Sequence, residues 1–157
     1  MKNALCIVSN SLTTIFSLIA IIMVNHMSIA RNGDTTLGDL VDRSNDSDYD
    51  MVTPLIVVLS LSLVITVTCI VIPMFTKDQM VLQLLLLGMS CALFGAAITL
   101  LVRATKTEDL DDAPAVDKSK LSAMKAMLYL AGSFGVLTGV ICAMKSTYKL
   151  SKIVNKK

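Results

Sequence analysis

The sequence predicts an all-α fold: an integral membrane four-helix transmembrane bundle, one domain over residues 1–157, with two acidic loops on one side and a basic C-terminal tail on the other. Three observations predict it. Four apolar segments, 4–24, 53–75, 80–102 and 126–144, each approach the roughly 20 residues a helix needs to cross hydrocarbon. None carries a charge in its middle. Charged residues make up 17% of the chain, against about 25% in soluble domains. In lipid, a lone strand would leave its backbone unsatisfied, so each segment is read as a helix.

The first span has Lys2 before it and Ser28-Ile29-Ala30 after it, the outline of a signal peptide. It is more polar than such a leader. Ser9, Asn10, Thr13 and Ser17 share one side at helical spacing, continued by Ala20. Their expected use is hydrogen bonding between helices. The alternative is a polar lining for an oligomeric pore.

The first acidic loop, 25–50, carries six aspartates against Arg31 and Arg43. Its stretch Asp46-Ser47-Asp48-Tyr49-Asp50 matches the opening of a calcium-binding loop. That loop needs Gly at its sixth position and Glu at its twelfth, and here those places hold Met51 and Val57. No metal site is expected. Asn45-Asp46-Ser47 is a formal glycosylation sequon set close to the membrane.

The second span opens on Thr53-Pro54, a cap followed by proline in the first turn. Ser62, Thr66 and Cys69 form a modest small and polar stripe, and Pro73 should end or bend the helix. The four residues 76–79 then force the second and third spans to be antiparallel neighbours. In the third span, Gly88, Ala92 and Ala96 recur every four residues, with Cys91, Gly95 and Thr99 alongside.

The second acidic loop, 103–120, is broken by Pro114. The fourth span carries Ala131, Gly135, Gly139 and Ala143 at strict four-residue spacing, a smooth groove about 18 Å long. Small residues let helices approach closely in lipid. The two smooth faces, of spans three and four, are expected to meet within one chain. The tail, 145–157, holds Lys145, Lys149, Lys152, Lys156 and Lys157 and no acid. These lysines are expected to meet anionic lipid or an acidic partner.

Both termini fall on the same side of a four-span chain. Lys and Arg number seven on each side, so the count itself ties. The five lysines packed into the short tail place that side inward, toward the cytoplasm. Trp is absent, and Tyr49, Tyr129 and Tyr148 lie near span ends as a thin interfacial belt.

Catalytic chemistry is not expected. His26 is the only histidine, and no acid lies within a span, where ion-coupled transporters place ionisable groups. Cys6, Cys69, Cys91 and Cys142 all lie within spans and are read as small buried apolar groups, with no disulfide framework. No cofactor and no nucleic-acid partner are expected. The paired outer-loop cysteines of claudin-like proteins and the Cys-Cys-Gly run of tetraspanins are missing, as are the loop cysteines of connexins. The function expected is a non-enzymatic structural or scaffolding subunit of a larger assembly, such as an organelle membrane complex or the membrane–capsid shell of a large virus. Its partners would be the lipid bilayer and other protein subunits, met through the acidic loops and the tail.

Overall fold

A computed structural model describes residues 2–26, 52–71, 74, 78–106 and 117–156. Four helices account for nearly all of them: α1 (Lys2–His26), α2 (Val52–Ile70), α3 (Gln79–Lys106) and α4 (Lys118–Val154). All four are long and apolar enough to cross a membrane. No strand occurs among the described residues. Most of the first acidic loop lies outside those residues, as do 107–116 of the second, Pro73, much of the turn after α2, and Lys157.

The helices form a ring in chain order. α1 packs on α2, α2 on α3, α3 on α4, and α4 closes back onto α1. Every neighbouring pair runs antiparallel. Cys6 meets Cys142 while Phe16 stacks on Phe134, so α1 and α4 run opposite ways. Asn10 reaches Thr66 while Thr14 reaches Ser62, which reverses α2 against α1. Thr53 and Arg103 border the same hollow between α2 and α3.

The outer surface is apolar. Ile7, Val8, Ile15, Leu63, Val67, Leu84 and Val102 are all exposed, as side chains facing acyl tails would be. Inside, the end where α1 finishes and α4 begins has an apolar core. Val24, Leu55, Leu100, Leu121, Met124 and Leu128 are buried there. The opposite end, toward the termini, buries polar side chains as well, among them Thr68, Gln83 and Ser146.

Two helices run past their expected limits. α3 continues to Lys106, and its last turn holds Arg103 and Lys106, which suit the negative end of a helix dipole. α4 is 37 residues long rather than the 19 of the expected span. It starts on an Asp117 cap that accepts the Ser119 N–H at 3.1 Å. At its far end the expected basic tail is helix as far as Val154. The lysines at 118, 120 and 125 depress local hydropathy but leave the helical period intact, since Leu121, Met124 and Leu128 all turn inward. A long helix can carry charge on its wet side without breaking.

Candidate functional site

Four polar residues of α1 point into the bundle. Ser9 and Asn10 are 4% exposed, and Thr13 and Ser17 are fully buried. Ser9 Oγ lies 2.6 Å from Thr138 Oγ1, and Thr13 Oγ1 lies 3.0 Å from the same atom. Thr13 also donates to the Ser9 carbonyl at 3.0 Å. Each hydroxyl has one proton, so one order satisfies all three bonds. Thr13 donates to the Ser9 carbonyl, Thr138 donates to Thr13, and Ser9 donates to Thr138. Asn10 Nδ2 donates to the Ser62 carbonyl at 2.9 Å and to Thr66 Oγ1 at 2.6 Å. These bonds tie α1 to α4 and to α2. Asn10 Oδ1 and Ser17 Oγ are buried without a partner among the described residues.

Thr138 was not singled out in the sequence, although it lies one residue before Gly139 on the smooth face of the fourth span. Thr138→Val should lower stability in detergent by about 1 kcal/mol. The cost should be modest because Ser9 can turn its proton back to a carbonyl of its own helix. Thermal unfolding followed by circular dichroism checks it.

The smooth face of α4 is packed within the chain. Ala131 is fully buried, Gly135 and Gly139 are buried, and Ala143 is half-buried. A Cβ built on Gly135 would lie 2.8 Å from Ala97 Cβ, 3.7 Å from Val58 Cγ1 and 3.8 Å from Thr13 Cγ2. All four helices therefore converge on this glycine. A Cβ on Gly139 would meet the Ser90 carbonyl oxygen at 3.0 Å and the Phe94 nitrogen at 3.1 Å, both of them backbone. Ser90 folds its hydroxyl back onto the Leu86 carbonyl at 2.6 Å, which keeps its side chain clear of the crossing. Gly132, which lies outside the four-residue stripe, faces Leu101.

The partner face on α3 is not the expected one. Ser90, Phe94, Ala97 and Leu101 meet α4. Gly88 and Ala92 are exposed, and Ala96 is half-buried beside α2. A Cβ on Gly88 or on Gly95 would meet nothing within 4 Å. The small residues Gly88, Cys91, Ala92 and Gly95 thus make an outward patch that this bundle does not fill.

No protein-family model, curated protein or solved structure matches this chain. Its reading rests on the geometry alone.

The cysteines also depart from expectation. Cys6 and Cys142, 136 residues apart, form a disulfide with their Cα atoms 6.2 Å apart, within the usual span of such a bond. The bond staples α1 to α4 near the termini. No local spacing signals it, because the partners meet only once the ring has closed. Cys69 is a half-buried free thiol and Cys91 an exposed one on the outward patch.

Of the tail lysines, Lys145 is half-buried, and Lys149, Lys152 and Lys156 are exposed. Lys152 Nζ sits 4.9 Å from the centre of the Tyr148 ring. No group of three or more His, Cys, Asp or Glu side chains able to hold a metal occurs among the described residues.

Proposed function

We propose that this chain is a non-enzymatic structural subunit of a larger membrane assembly. The observation that carries the reading is the outward patch of α3. Glycine inside a helix costs roughly 1 kcal/mol against alanine. Gly132, Gly135 and Gly139 offset that cost by close packing inside the chain, whereas Gly88 and Gly95 have no neighbour there. A helix of another subunit seated on Gly88–Gly95 would supply the missing contact. Every buried polar side chain among the described residues is neutral, which suits a packing role better than proton or ion transfer.

The pore reading loses its lining. Such a pore needs Ser9, Asn10, Thr13 and Ser17 turned toward neighbouring chains, whereas all four are buried within their own chain and the first three bond to α2 or α4.

Native mass spectrometry in mild detergent tests the proposal. The wild-type chain should co-purify with a partner subunit or with further copies of itself. Gly95→Leu should leave the monomer folded and weaken that association by tenfold or more, about 1.4 kcal/mol. A lone, stable wild-type monomer would overturn the reading. We also place both termini on the same side of the membrane; the tail lysines favour the inner side, whereas the Cys6–Cys142 bond favours a compartment that tolerates disulfides.

A further inference from the structure

At the terminal end of the ring lies a cavity of about 260 Å³, close to the lower size limit of small-molecule pockets, roughly 300 Å³. Its wall brings together features that the packing of the bundle does not require. Lys145 and Lys149 border it from α4. Gln83 and Ser146 also border it, each 2% exposed. An amide and a hydroxyl on the wall add hydrogen-bonding capacity beside the two ammonium groups. Ile7 and Leu86 give the same cavity an apolar side.

We propose that this cavity holds the phosphate-bearing headgroup of an anionic phospholipid. The ammonium groups of Lys145 and Lys149 supply positive charge. The Gln83 amide and the Ser146 hydroxyl supply donors, and the apolar side receives the start of an acyl chain. Position favours a lipid over a free anion. The cavity sits where α2 ends, α3 begins and the lysines of α4 start, the depth at which headgroups lie. Basic pockets between spans are a recurrent form of headgroup site. The first turn of α3 adds the positive end of its dipole. Asp78 accepts the Met80 N–H at 3.2 Å and does not border the cavity. The site is independent of the subunit role, because it lies on the opposite side of α3 from the Gly88–Gly95 patch.

The test uses the full chain in micelles of mild detergent with phosphatidylcholine and phosphatidylglycerol, and native mass spectrometry counts the lipids retained. The wild type should hold one phosphatidylglycerol per chain in preference to phosphatidylcholine. The double variant Lys145→Gln/Lys149→Gln should weaken that retention by about twenty-five-fold, a factor of roughly five for each lysine. Lys152→Gln/Lys156→Gln, with the same loss of charge outside the cavity, should leave it unchanged. Equal weakening by both double variants would mean diffuse attraction and would overturn the site. Equal retention of the two lipids by the wild type would also overturn it. Inorganic phosphate that displaces the lipid, where sodium chloride of matched ionic strength does not, would reassign the cavity to a free anion.

Discussion

Replacing Gly135 by leucine should unfold or mis-pack the monomer, because the new side chain must enter the point where all four helices meet. A Cβ alone would already lie 2.8 Å from Ala97 Cβ, and the remaining atoms have Val58 and Thr13 in their path. Overpacking by a methylene or so costs about 1–3 kcal/mol, and a whole leucine should exceed that range. The smaller changes should grade by what they strike. Gly132→Ala meets the Leu101 side chain, which can swing aside. Gly139→Ala meets the Ser90 carbonyl and the Phe94 nitrogen, which move only if α3 itself moves. Gly139→Ala should therefore destabilise more than Gly132→Ala. Thermal unfolding and gel filtration in detergent check the order. A Gly135→Leu variant that stayed folded and merely lost self-association would place this face between chains instead.

The second large effect concerns the staple between α1 and α4. Cys6→Ser or Cys142→Ser should cost about 2–4 kcal/mol, the usual range for a disulfide that closes a long loop. Reducing agent should lower the unfolding midpoint of the wild type and leave either serine variant unmoved. The pair can also be read in cells, by alkylating free thiols before lysis. An oxidised pair supports the staple. It also counts against a reducing compartment at the terminal end, and so against the inward orientation proposed from the tail lysines. A pair found fully alkylated would remove the staple.

What was legible in the sequence follows from the physics of each signal. Hydropathy exposes a span because lipid demands it, and all four spans were visible in that way. The Ser9–Ser17 face was visible because buried polar groups are rare and costly in lipid. The Gly135–Gly139 face was visible because glycine at helical spacing has few uses besides close approach. The facing surface of α3 was not visible. That helix is apolar on every side, and lipid and core reward the same residues, so Gly88–Ala92–Ala96 and Ser90–Phe94–Ala97 look equally fit to be inside. The ends of α4 were hidden by lysines that lower hydropathy without stopping a helix. The Cys6–Cys142 bond and the cavity bordered by Gln83 and Ser146 arise only when the ring closes, and no window of sequence contains them.

The unbroken length of α4 has one more consequence. At about 1.5 Å per residue its 37 residues reach roughly 55 Å, against about 30 Å of hydrocarbon. Its length lets it pass through the membrane and stand proud of it. Whatever grips the chain near Lys118 and whatever grips it near Lys152 are held at a fixed separation and a fixed rotational phase. Such a part can set the spacing between two layers on either side of a bilayer, and adding or removing one turn would change that spacing by about 5.4 Å.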